Sequence, residues 1–224
     1  MKKWFDQKEK SLEIIKRLRE VSVDMVEPAA TLIIKGFGRN PFLVLVSCIL
    51  SLRTKDTISL PASQRLFQLV TTPEGVLELS LEKIEQIIYP VGFYRNKAKQ
   101  LHEVSRELID RFGGKVPNNE QDLLSLRGVG RKTASLVLGE GFGIPAICVD
   151  THVHRISNRL GLVSTKTPKE TEIKLKKILP KKYWIEYNYL LVKWGQNICV
   201  PVSPFCSKCA IFNVCDRVGV KRSR

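Results

Sequence analysis

The chain has 224 residues, enough for one large domain or two small ones. Its 37 Lys and Arg against 22 Asp and Glu leave a net charge of +15, while 43% of residues are hydrophobic. That composition excludes a natively disordered chain, because it supplies a core. A nucleic acid, an anionic membrane surface or plain solubility remain as reasons for the basic excess.

Helical periodicity dominates along the chain. The opening MKKWFDQKEK has no apolar h-region and does not read as a signal peptide. Leu12, Ile15, Leu18 and Arg19 predict an N-terminal helix, with Ile14 and Ile15 on its apolar side. Phe42 to Leu50 (FLVLVSCIL) is the longest apolar stretch. It is about half of the ~20 residues that a membrane-spanning helix needs. Cys48 within it and Cys148 in PAICVD read as small core residues. From Ala98, the positions Leu101, Val104, Leu108, Ile109 and Phe112 form one helical stripe, which Gly113-Gly114 stops. Asn118 with Gln121 gives a weaker helix start. Residues 145–149 (PAICV) read either as a short buried strand or as a buried link. Thr167-Pro168-Lys169-Glu170 is a strong helix start: an N-cap, Pro at the first helical position and Glu three after the cap. Some ten or eleven helices with short connections are expected, giving an all-α protein.

The charge is concentrated late in the chain. Residues 1–33 carry net +1, residues 34–144 net +4 and residues 145–224 net +10. Lys166, Lys169, Lys174, Lys176, Lys177, Lys181 and Lys182 fall within 17 residues. Such a block favours a polyanion on one face of the C-terminal part, without distinguishing DNA from RNA or lipid.

Four of the six cysteines are crowded as Cys199-x6-Cys206-x2-Cys209-x5-Cys215. Without a secretion signal the compartment is expected to be reducing, which argues against two disulfides. Four thiolates suit either Zn²⁺ or an iron–sulfur cluster, and the spacing alone leaves both open.

Leu126-Arg127-Gly128-Val129-Gly130-Arg131-Lys132-Thr133-Ala134 places two glycines between a short helix (122–126) and a second helix (134–138). Backbone N–H groups pointing outward at such a turn hold one phosphate without base preference, although an ordinary helical corner has the same pattern. Lys132 adds chemistry. An ordinary lysine, with a pKa of about 10.4, is neutral at pH 7 in only about one molecule in a few thousand. A positive helix end, Arg131 and partial burial would lower that value and create an amine nucleophile. Asp150, in Val149-Asp150-Thr151-His152-Val153-His154-Arg155, reads as a cap for a helix running to Leu160. His152 and His154 diverge on a helix and make no metal pair.

Together these segments resemble the endonuclease III family, within the helix–hairpin–helix superfamily of DNA glycosylases. The carriers are LRGVGRKTA (126–134), VDTHVHR (149–155) and the four cysteines, with ILSLRTKD (49–56) and GFYRNKA (92–98) in support. The resemblance runs in order over about residues 10–216. It implies a six-helix barrel near 34–144. Residues 1–33 and 145–224 would form a discontinuous cluster domain, with the active site in the cleft between the two. It implies that Cys199, Cys206, Cys209 and Cys215 ligate a [4Fe–4S] cluster, with zinc as the minor alternative.

By the same resemblance, Lys132 is the catalytic lysine and Asp150 the catalytic aspartate of a DNA glycosylase with abasic-site lyase activity. Gly128, Val129, Gly130 and Arg131 would hold a phosphate. Arg53 stands where the family commonly has a Gln that fills the hole opposite the orphaned base. As an arginine it would pair with a guanine there, or simply occupy the space or pair with a phosphate. Phe93 stands at a common Leu wedge and reads either as a stacking wedge or as a core Phe. Ser51 and His152 are pocket candidates by position. The expected partner is double-stranded DNA containing damaged bases or abasic sites. The expected state is a cytoplasmic, nucleoid-associated monomer of prokaryotic type, with no membrane. A monofunctional thymine or uracil mismatch glycosylase and a non-catalytic DNA-binding protein are the competing readings.

Overall fold

The computed structural model describes residues 6–224. Residues 1–5, which begin the leader reading and the 1–33 segment, lie outside the described residues. The described chain is all-α, with twelve α-helices joined by short turns. None of them is long and apolar enough to cross a membrane. The chain divides into two compact units: Ala29–Ile144, and Pro145–Arg224 together with the chain up to Pro28.

Helix α1 (Gln7–Val21) starts at Asp6, whose side chain accepts from the Lys8 N–H. It buries Lys10, Ser11, Ile14, Ile15 and Leu18, while Leu12 is only half-buried and Arg19 is exposed. Arg19 instead pairs with Glu186 at 2.7 Å. Helices α2 (Ala29–Phe37) and α3 (Pro41–Ser51) open the second unit. The apolar run 42–50 becomes α3, buried at every position from Phe42 to Leu50. A helix apolar on all sides belongs inside, and α3 packs against α2, α4 (Asp56–Phe67), α7 (Tyr94–Phe112) and α9 (Arg131–Leu136). Asn40 caps it and Pro41 occupies its first turn.

Helices α5 (Pro73–Glu78) and α6 (Leu81–Ile88) then pack on α7. The predicted stripe of α7 is buried at Ala98, Leu101, Val104 and Leu108, and the helix ends at Gly113 in the left-handed region. Helix α8 (Glu120–Ser125) starts one residue later than the sequence suggests. Asn119, not Asn118, accepts the Asp122 N–H, because its side chain stands three residues before that amide. Helix α9 runs into one π-helical turn, Val137–Gly141, which packs on α3.

In the other unit, residues 145–149 form an irregular link and not a strand, buried only at Ile147 and Cys148, with Pro145 exposed; nothing pairs with them as a ladder among the described residues. Helices α10 (Thr151–Arg159), α11 (Pro168–Ile178) and α12 (Trp184–Asn197) follow. The start of α11 has the predicted geometry: Thr167 Oγ1 accepts from Glu170 N, and Glu170 Oε2 accepts from Lys166 N. The core of this unit joins Ile14, Ile15 and Leu18 of α1 to Val153, Ile156, Tyr187, Leu191 and Trp194. Buried Lys10 fixes that docking, donating to Leu160 O at 2.6 Å and to Asp216 Oδ1 at 2.8 Å.

Candidate active site and cysteine centre

The hairpin before Lys132 turns at Gly128, whereas Gly130 has extended backbone and open space where a Cβ would stand. Gly128 has φ +73°, and a Cβ there would collide with the Gln100 amide, so no other residue fits without rearrangement. Val129 closes the turn: its N–H donates to Leu126 O at 3.1 Å and its side chain is buried. Of the predicted phosphate binders, Val129 therefore has its amide already used. Gly128, Gly130 and Arg131 are exposed, and Arg131 lies 3.5 Å from Glu120. Gly130 caps α9 with no side-chain acceptor. Lys132, in the first turn of α9, is exposed, so partial burial is not among the conditions that act on it. Its charge is felt by Cys48 on α3, a thiol that burial pushes up to about 12 and Lys132 pulls back.

Arg53 and Phe93 lie in the same unit. Both are exposed and both hold left-handed backbone, with φ +52° and +58°. Phe93 is 61% exposed and is not a core residue. Gly92 brings the two loops together, since a Cβ there would stand 3.2 Å from both Arg53 O and Thr54 Oγ1. Ser51 is half-buried at the end of α3, its hydroxyl donating to Cys48 O at 2.9 Å.

Asp150 caps α10. Its Oδ1 accepts from His152 N at 2.9 Å and from Val153 N at 2.8 Å, while Oδ2 accepts nothing from the described residues. The cap anchors the carboxylate at a positive helix end and leaves one oxygen for chemistry. The His152 ring sits against Gly195 of α12, with Nδ1 3.1 Å from Arg155 Nη2. Arg155 Nη2 also donates to Cys199 O at 2.8 Å and to Gly195 O at 3.3 Å. Burial lowers the pKa of the Arg155 guanidinium, a shift opposed by Cys199 and Asp150. One arginine thus ties the helix of Asp150 to the first cysteine.

All four late cysteines line one cavity, with Trp194, Arg159 and Arg217 in the same wall. Burial pushes Cys209 up to about 11 and Cys215 upward, and Cys199 raises both further. Binding a metal releases such protons. Arg159 Nη1 points at Cys199 Sγ from 3.4 Å and holds the following loop at Val200 O, with Nη2 on Pro201 O. Trp194 Nε1 is buried without a well-formed hydrogen bond among the described residues, although it stabilises the ionised Cys209 sulfur. No three of these side chains are drawn into a metal-binding group among the described residues, but four thiols around one cavity, an indole N–H beside Cys209 and a guanidinium on Cys199 Sγ are a donor set that suits a sulfur-bridged anionic cluster.

Sequence reasoning missed Lys97, Arg155, Arg159 and Trp194. Lys97 did leave a signal. It lies four before Leu101 on the apolar stripe, where a surface lysine has no place. The arginines gave none, because their partners are carbonyls far along the chain.

Residues 46–181 match the model of the HhH-GPD superfamily base excision DNA repair proteins. Endonuclease III of Thermotoga maritima is 47% identical over 197 residues, 86% of this chain and 92% of that protein. A solved non-covalent endonuclease III–DNA complex superposes with a TM-score of 0.82 at 34% identity, over 94% of this chain and 95% of that one. A trapped endonuclease III–DNA covalent intermediate does so with a TM-score of 0.77 at 35% identity, over 92% and 96%. The all-α fold agrees with these matches, and the chain belongs to the endonuclease III family of the HhH-GPD superfamily.

Proposed function

We propose that this chain is a bifunctional DNA glycosylase and abasic-site lyase of base-excision repair, acting on oxidised pyrimidines in double-stranded DNA. The observation that carries the reading is Lys132, an exposed residue in the first turn after a glycine hairpin. The chain resembles a protein trapped in a covalent bond to DNA, and an accessible nucleophile is what such a bond requires.

The damaged nucleotide is flipped out of the duplex. Lys132 Nζ, as the amine, attacks C1′ of its deoxyribose. The N–C1′ bond forms as the glycosidic bond breaks, and the base leaves with the bonding pair and takes up a proton. Asp150 stabilises the positive charge that develops on the sugar and accepts the proton that the amine loses. Oδ2 is the oxygen suited to this, because Oδ1 is held by two backbone amides. The sugar ring then opens to a Schiff base on Lys132. Loss of a C2′ proton expels the 3′ phosphate by β-elimination.

Gly128, Gly130 and Arg131 hold a neighbouring phosphate, and Val129 anchors their turn from inside. Arg53 faces the orphaned base and Phe93 wedges into the kinked step. Ser51 and His152 are candidates to touch the flipped base. The protein acts as a cytoplasmic monomer. Cys199, Cys206, Cys209 and Cys215 hold a [4Fe–4S] cluster, as the family generally does. When bound, the cluster supplies four Fe–S bonds that cross-link the C-terminal loops. Arg159 and Trp194 offer N–H donors to its sulfur.

Borohydride reduction with abasic or oxidised-pyrimidine duplex tests the reading. A covalent complex that Lys132→Ala abolishes is expected. Base release without trapping or nicking would instead indicate a monofunctional glycosylase. Salt-sensitive binding with no turnover on any lesion would indicate a DNA-binding protein.

A further inference from the structure

Lys97 is 5% exposed, yet no carboxylate pairs with it among the described residues. Its ammonium has three N–H groups and all three are used. Nζ donates to Leu50 O at 2.8 Å, to Leu52 O at 2.6 Å and to Thr54 Oγ1 at 3.0 Å. Two of those acceptors flank Arg53 on either side. Thr54 Oγ1 also accepts from Gly92 N at 3.2 Å, and Gly92 immediately precedes Phe93. Phe93 O in turn accepts from the Lys97 N–H at 3.0 Å. The ammonium therefore contacts the chain on both sides of Arg53 and reaches the residue before Phe93 through the Thr54 hydroxyl, while the bond from the Lys97 N–H to Phe93 O is the first helical bond of α7, which any residue but proline would make at 97.

Left-handed backbone is unfavourable for any residue with a Cβ and persists only where the surroundings impose it. Here the group shared by the two turns is one buried cation on neutral oxygens, an arrangement that burial disfavours and that packing alone does not require. A methionine of similar length fills the same space without donating.

We propose that Lys97 is a positioning residue, whose buried ammonium locks the Arg53 and Phe93 loops into a paired wedge before DNA arrives. The proposal rests on the reading of Arg53 and Phe93 as DNA-inserting side chains. The wedge is pre-formed, so binding does not have to order it.

The test uses the full-length protein and two duplexes, one undamaged and one bearing a tetrahydrofuran abasic analogue beside 2-aminopurine. Lys97→Met is expected to weaken binding to the abasic duplex by about tenfold, the factor for re-forming one left-handed residue on binding. It is expected to lower the 2-aminopurine emission that reports unstacking and to leave undamaged-duplex affinity unchanged. Thr54→Val, which removes the shared hydroxyl, is expected to move the same readings in the same direction. It decides the question if the methionine variant does not fold. Suppose Arg53→Ala and Phe93→Ala lower affinity and emission while Lys97→Met and Thr54→Val match the wild type. Then the wedge stands and the positioning role is overturned. If Arg53→Ala and Phe93→Ala also change nothing, the wedge reading itself falls and takes the proposal with it.

Discussion

Asp150 carries two roles that two substitutions separate. Its Oδ1 caps α10 through two amides, and its charge serves the sugar. Asp150→Asn keeps an oxygen acceptor in the cap and removes the charge. Asparagine caps about as well as aspartate, so the expected loss is only the attraction between a carboxylate and the helix end, about 0.3–1 kcal/mol. At roughly 2–4 °C per kcal/mol for a chain of this size, the melting temperature falls by about 1–4 °C. Asp150→Ala removes the acceptor for both amides, placing it near the top of the capping range, about 1.5–2 kcal/mol, and adds the lost dipole attraction. Its melting temperature is expected to fall by about 4–12 °C. Both variants lose the charge equally, so both are expected to slow base release by about 10²- to 10⁴-fold under single-turnover conditions. Thermal melting and single-turnover glycosylase assays on the same preparations read the two roles apart. Asp150→Asn with base release within threefold of the wild type would refute the chemical role. Equal melting temperatures for the two variants would refute the cap.

Lys132→Ala is expected to abolish borohydride trapping and to shift the melting temperature by less than about 2 °C, because the side chain is exposed. Protein purified without oxygen is expected to be brown, with four irons and four sulfides per chain for a [4Fe–4S] centre; stoichiometric zinc in a colourless protein would refute the cluster. Burial pulls Lys97 down to about 8, so abasic-duplex affinity is expected to weaken above that pH as the amine loses one N–H and turns a lone pair toward a carbonyl. Lys97→Met should show no such step. Stability moves the other way: between about pH 8 and 10.5 the unfolded chain binds more protons at this site, so its contribution to stability rises with pH. Undamaged-duplex affinity should fall linearly in log–log plots against salt. Replacing exposed Lys177 by Gln should reduce the slope by about one if it contacts a phosphate.

Local signals were legible where they are encoded locally. Thr167-Pro168 opens α11, Gly113 ends α7 and Asp150 caps α10, because capping needs only a side chain within three residues of its amide. The run 42–50, too short for a membrane, reads correctly as interior once its uniform burial is seen. Phe93 was ambiguous, since an aromatic beside a helix start suits core and surface equally; its left-handed backbone and exposure decide for the surface. Partial burial is one of three conditions that would lower the Lys132 pKa, and a linear pattern cannot say which of them holds; the fold leaves the residue exposed at the first turn of α9.

The sequence alone determined the helical class, the hairpin with its lysine, the capping aspartate and the four thiols, since each is a short pattern with its own chemistry. Only tertiary structure decided which groups share a neighbourhood. Lys97 meets Leu50, Leu52 and Thr54 across more than forty residues, and Arg155 meets Cys199 across a similar gap. Their acceptors are mostly backbone carbonyls, which every residue has and no side-chain pattern marks. A buried cation on such oxygens becomes visible only when the chain is folded around it.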